Sequence, residues 1–250
     1  MSTSLYNENT HIVPNVKRIV NRCLLAAVLS LLSTIAVAQP LTPRQQAIVA
    51  IGAYTGRGDL ERLPQALVQG LEAHITVNEI KELLVQSYAY CGFPRSLRAI
   101  QTFMAVLDER RVSGIVDEEG REASAIKDDG SKYDRGASIL KSLSGIDSSH
   151  PTKGYGAFAP TIDLFLKEHL FADIFERDLL SYQDRELATV SFLAGVGGVE
   201  PMARGHMGIC LRQGITKEQL SALLDIVESN LGAESAEPLR KVLDGITGES

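Results

Sequence analysis

From about residue 41 the apolar positions recur at helical spacing. Ile48, Val49, Ile51 and Ala53 cluster in one stretch. Leu60, Leu63, Leu67 and Leu71 follow, and then Ile80, Leu83 and Leu84. Spacings of three and four residues put each set on one face of a helix. The punctuation agrees. Thr42-Pro43-Arg44-Gln45 and Thr76-Val77-Asn78-Glu79 each read as a capping box, in which a threonine hydroxyl and a Gln or Glu side chain satisfy each other's free backbone N–H groups. These signals predict helices from Thr42 to about Gly56, from about Asp59 to Ala73, and from Thr76 to Gly92. Pro94 then opens a fourth helix through about Arg111.

The pattern then returns. At an offset of 140 residues, Ile75-Thr76 meets Ile215-Thr216, Leu83-Leu84 meets Leu223-Leu224, and Gly58 and Gly92 meet Gly198 and Gly232. The second copy predicts helices at about 182–195, 200–213 and 216–230, with a last one over 234–244. Self-similarity at a fixed offset is the mark of a repeated structural unit. Residues 39–111 form the first repeat and residues 159–250 the second, which opens on an amphipathic segment, 159–178. Its apolar set is Ile162, Phe165, Leu166, Leu170, Ile174 and Phe175. The polar stretch 112–158 reads as a linker holding one short helix, 134–143. No alternating strand pattern competes, so the fold class is all-α.

Composition narrows the function classes. Trp is absent, and the formal net charge of −6 comes from interspersed acids and bases. With no basic stripe there is no electrostatic footprint for nucleic acid. Lys17, Arg18 and Arg22 precede an apolar run, Leu24 to Ala38, that ends Ala-Val-Ala. Residues 1–38 therefore read as a secretory signal peptide, too short in its apolar part for the roughly 20 residues a membrane span needs. The expectation is an exported protein, periplasmic or secreted, with no stable membrane insertion once the leader is cleaved. Cleavage removes three bases and Glu8, moving the formal charge from −6 to −8. Cys91 and Cys210 remain and read as small buried hydrophobes.

At this point the motifs carry a family. Tyr88-Ala89-Tyr90-Cys91-Gly92-Phe93-Pro94-Arg95 resembles the Y-x-G-F-P signature of the carboxymuconolactone decarboxylase family. Arg185-Glu186-Leu187, His206 and Gly214-Ile215-Thr216 resemble the same family's second pattern, and Phe171 to Asp178 resembles its entry segment. The resemblance implies an all-α, helix-bundle oligomer, trimeric or hexameric. A fused two-copy chain would then resemble a subunit dimer, and three chains a pseudo-hexamer. The family implies two chemistries, decarboxylation of 4-carboxymuconolactone and hydroperoxidase-linked disulfide reduction through C-x-x-C-x-x-x-H. In the second, cysteines stand seven and four residues before the histidine. Here those positions hold Val199 and Met202, so the dithiol has no obvious means.

His206 and Glu186 are the candidate catalytic pair, an imidazole and a carboxylate on adjacent helices able to move a proton near neutral pH. Arg185 is the candidate holder of a substrate carboxylate, with Arg177 beside it. At the repeat offset, Glu186 and His206 fall on Gln46 and Ala66, while Tyr88, Tyr90, Phe93 and Arg95 fall on Glu228, Asn230, Ala233 and Ser235. Each copy keeps the half that the other lacks. The expectation is one composite site: an acid–base half from the second copy and an aromatic, arginine-bearing substrate wall of Tyr88, Tyr90, Phe93 and Arg95 from the first. No metal-ligand cluster or nucleotide loop is present in the sequence, so the implied activity is cofactor-free. Lys167-Glu168-His169 reads as a solvated face. The leading reading is a lyase or isomerase acting on a small carboxylated lactone or enolisable acid. The other classes are a non-enzymatic helical oligomer that binds a small hydrophobic ligand, and a hydroperoxidase-linked protein lacking its C-x-x-C.

Overall fold

The structure, a computed structural model, describes residues 40–126 and 130–248; the expected signal peptide lies outside them. Among the described residues there are ten α-helices, one π-helical segment and no strand. The first repeat holds α1 (Pro43–Arg57), α2 (Leu63–Glu72) and α3 (Val77–Val112). Both expected capping boxes are present, Thr42 with Gln45 and Thr76 with Glu79. α3 is broken at Gly92 (φ 77°, ψ 159°), so the two expected helices lie end to end. The second repeat holds α7 (Tyr182–Val196), α8 (Glu200–Arg212), α9 (Lys217–Leu231) and α10 (Ala233–Thr247). Gly232 separates α9 from α10 with nearly the same backbone as Gly92 (φ 94°, ψ 164°). The repeat read in the sequence is thus a repeat of backbone geometry.

The two copies pack as mates around their first helices. α1 lies against α7, α9 crosses onto α1, and α3 crosses onto α7, a reciprocal exchange that merges both copies into one core. Arg44 and Asp184, equivalent positions of the two copies, meet at 3.3 Å, and Arg44 also grips Glu79 through two nitrogens at 2.9 and 3.1 Å. The α1–α7 approach needs glycine. A methyl group on Gly195 would stand 2.5 Å from the Ala53 carbonyl oxygen and 2.5 Å from the Arg57 nitrogen, both main-chain atoms that cannot swing aside. Gly195→Ala is expected to cost about 1–3 kcal/mol, the usual range for overpacking, read as a lower urea midpoint.

One position breaks the repeat's symmetry. Gly214 has φ 86°, while its equivalent His74 holds φ 61° with a side chain attached. A left-handed backbone costs an L-residue roughly 1–2 kcal/mol, and glycine's extra unfolded-state freedom takes back roughly 0.5–1. His74→Gly is therefore expected to raise stability by up to about 1 kcal/mol in the same denaturation assay.

The segment 112–158 is more built than a connection. Its early part straps across the start of α3, where the Val77 and Asn78 amides donate to the carbonyls of Glu118 and Glu119. It reaches Asp178, which accepts from the Ser124 amide and hydroxyl at 2.9 and 2.8 Å. Its helix α4 (Lys132–Ser144) packs against the π-helical segment Leu166–Phe175, and Leu143 joins Leu170, Phe171, Ile174, Phe175 and Ile209 in a second apolar cluster. Two short helices, α5 (Gly154–Phe158) and α6 (Pro160–Phe165), lead into the π segment. Two sequence expectations fail here. Ile162 and Phe165 are largely exposed rather than part of the buried set. Lys167, read as a solvated face, is fully buried: its ammonium pairs with Asp163 and lies 5.1 Å from the centre of the Tyr133 ring. A buried ammonium needs such partners, because desolvation without them is prohibitive.

Candidate active site

Glu186 sits one turn into α7, whose start is fixed by the Ser181 side chain accepting from the Asp184 amide. Its carboxylate is fully buried. α8 returns alongside α7 and presents His206, whose side chain is 15% exposed. The two meet, with His206 Nδ1 2.7 Å from Glu186 Oε2. When the Glu186 carboxylate is ionised it can only accept, so Nδ1–H donates and a neutral imidazole keeps its lone pair on Nε2. A histidine oriented in this way is ready to take a proton at Nε2 and return it. Glu186 Oε1 is buried without a hydrogen-bond partner among the described residues, an orphaned acceptor inside the core that calls for a reason.

The first repeat closes over this pair. The Tyr90 ring stands edge-on to His206 with centroids 5.4 Å apart, and stacks on Phe192 at 6.1 Å. Burial, with the Glu186 charge adding to it, pushes the Tyr90 phenol well above its ordinary range. The phenol thus stays neutral and can donate a hydrogen bond but not act as a base. Its oxygen has no hydrogen-bond partner among the described residues. Within one chain the structure thus brings Tyr90 of the first repeat against His206 and Glu186 of the second. The equivalent site in the first copy is empty of chemistry: Gln46 donates to its own chain at the Leu41 carbonyl (2.7 Å), and Ala66 is buried.

The rest of the expected wall divides. Tyr88 and Phe93 stack on each other, centroids 4.7 Å apart. They line an open apolar groove of about 900 Å³ together with Phe165, Leu166 and Met202. Met202 lies one turn before His206 on α8, so groove and acid–base pair are neighbours. Arg95 turns away and donates to the Gly56 carbonyl at the end of α1, where it serves that helix terminus rather than a ligand.

Arg185 needs the larger correction. Its guanidinium is fully buried and taken up by the core. Nη2 donates to Glu82 Oε1 (2.7 Å) and to the Arg177 carbonyl (2.8 Å), Nη1 donates to Gln86 Oε1 (2.9 Å), and the group lies 5.7 Å from the centre of the Phe175 ring. Arg177, the second candidate, donates through Nε to both oxygens of the same Glu82 at 3.0 and 2.9 Å. Arg185, fully buried with both Nη atoms engaged and only Nε without a partner, cannot reach a substrate carboxylate to grip it bidentately, whereas Arg177 bonds Glu82 through Nε and is partly exposed. Sequence reasoning missed Glu82 and Gln86. Their spacing of four places them on one face of α3, but nothing in it says that Arg185 lies opposite.

Both thiols are held toward their protonated form. Cys91 and Cys210 are free. Burial pushes Cys91 up to about 12, and burial with the nearby Glu186 charge pushes Cys210 well above the ordinary thiol value. Reactive cysteines need the opposite shift. No group of three or more His, Cys, Asp or Glu is placed to hold a metal among the described residues, and none of their helices is long and apolar enough to cross a membrane.

Comparison with known proteins adds two findings. The model of a family described as "Carboxymuconolactone decarboxylase family" matches residues 24–103 and 160–244, once over each repeat. No curated protein matches the chain.

Proposed function

The chain belongs to the carboxymuconolactone decarboxylase family, and from that premise we propose that it is a cofactor-free lyase or isomerase acting by acid–base catalysis on a small carboxylated lactone or enolisable acid. The observation that carries this reading is the 2.7 Å contact between His206 Nδ1 and the buried Glu186. Glu186 holds the imidazole in one tautomer and steadies the imidazolium once it forms. His206 Nε2 then takes a proton from one carbon and returns it to another when a double bond migrates, or, having taken a proton from water, delivers it to the enolate carbon once the carbon–carbon bond to the leaving carbon dioxide has broken. Tyr90, neutral and edge-on to the imidazole, excludes water from one side. Arg185 has no part in this scheme.

The experiment is a screen of lactones and enolisable acids for carbon dioxide release and for exchange of a carbon-bound proton into deuterated water, run beside a His206 variant. Activity that is present in the native protein and lost in the variant supports the reading. Activity that survives the loss of His206 overturns it.

A further inference from the structure

The groove carries chemistry of its own, apart from Glu186 and His206. His169, on the π-helical segment, is half exposed on its wall, and its Nδ1 lies 3.0 Å from Asp173 Oδ2. This is a second histidine held at Nδ1 by a carboxylate, which leaves the Nε2 lone pair to accept. Its ring lies 5.5 Å from that of Tyr88, the other ring of the Tyr88–Phe93 stack. The Tyr88 hydroxyl is buried without a hydrogen-bond partner among the described residues. Among the described residues the groove is lined by one lysine, Lys132, paired with Asp173 at 2.8 Å, and Glu168 adds a further negative charge. Among the described lining residues one lysine is set against two carboxylates, a balance that disfavours an anion.

We propose that this groove is a binding site for an uncharged, flat, ring-sized apolar molecule bearing a hydroxyl group. The apolar body lies against Tyr88, Phe93, Phe165 and Met202, and the hydroxyl donates to His169 Nε2. A volume of about 900 Å³ suits such a ligand, since small-molecule sites are concave, mostly apolar and carry a few placed polar groups. Selection for a neutral hydroxyl over a carboxylate follows from the charges. A carboxylate would meet Asp173 and Glu168 with no unpaired lysine or arginine among the described lining residues, whereas a hydroxyl can donate to His169 Nε2.

The test is a titration of the full-length chain with naphthol, naphthoate and methoxynaphthalene at neutral pH, followed by the fluorescence of the ligand. Naphthol is expected to bind at one molecule per chain, and naphthoate at least about tenfold more weakly. His169→Ala should weaken naphthol about tenfold while leaving methoxynaphthalene unchanged, because only the hydroxyl loses a partner. Phe165→Ser, at an exposed position, should weaken all three. Naphthoate binding as tightly as naphthol, or a His169 variant that affects naphthol and methoxynaphthalene equally, would overturn the assignment, and so would a Phe165 variant without effect. His206→Asn is expected to leave naphthol affinity unchanged, so failure of the acid–base reading would not touch this result.

Discussion

His206→Ala is expected to lower turnover by about 10²–10⁴, the usual contribution of a positioned general acid or base. The loss should fall on kcat, because the imidazole acts on the moving proton and does not hold the substrate. The alanine variant carries a second effect that needs separating. Glu186 is fully buried and His206 is its hydrogen-bond partner. Removing the imidazole strands an uncompensated carboxylate in the core, a change of the kind that destabilises by about 3–5 kcal/mol. His206→Asn separates the two. Its amide nitrogen sits where Nδ1 sat and can still donate to Glu186, but it has no titratable nitrogen. The asparagine variant is expected to be as inactive as the alanine variant while its urea midpoint stays near the native value. Adding Glu186→Gln to His206→Ala should restore much of the lost stability and none of the turnover. If the asparagine variant kept full activity, His206 would have no part in proton transfer, whatever happened to stability.

The site is legible in the sequence to the degree that it depends on the repeat. Aligning the copies at 140 residues shows that Glu186 and His206 have lost their counterparts and that the Tyr88–Arg95 run has lost its own. That asymmetry marks both halves. Whether the halves meet within one chain is not legible in the repeat; it follows from the packing, in which the third helix of one copy crosses the first helix of the other. The helix starts are equally legible, because a capping box is local chemistry among four adjacent residues. What the sequence hides is long-range pairing. Arg185 finds Glu82, 103 residues away, and Arg95 finds Gly56, 39 residues away. No local spacing encodes either. The polar composition of 112–158 likewise conceals a strap held by main-chain bonds, while its short helix is legible near 134–143 and only its packing on the π segment is not. His169 reads as surface in sequence and is half exposed in the fold. Only the shape of the groove around it gives it a role.

Glu82→Ala is expected to be the most destabilising of the substitutions in the polar core, at about 3–5 kcal/mol, measured as a fall in the urea midpoint at constant slope. Glu82 is buried between two guanidinium groups. It takes Arg185 Nη2 at 2.7 Å and Arg177 Nε at 3.0 and 2.9 Å. Arg177 is partly exposed and can turn to water when the carboxylate goes, but Arg185 is fully buried and cannot. It keeps Gln86 and the Arg177 carbonyl as partners, yet its charge is left without an opposite. The cost should therefore reside in Arg185, and a second substitution tests that. Arg185→Met added to Glu82→Ala removes the stranded charge and refills part of the space, so the double variant is expected to be more stable than Glu82→Ala alone. The same pair distinguishes a structural arginine from a substrate-holding one. A substrate-holding Arg185 would, when replaced by methionine, raise KM and leave the folded state intact. The burial of Arg185 and its bonds to Glu82 and Gln86 require the reverse, a lower urea midpoint for Arg185→Met with KM unchanged in whatever protein remains folded.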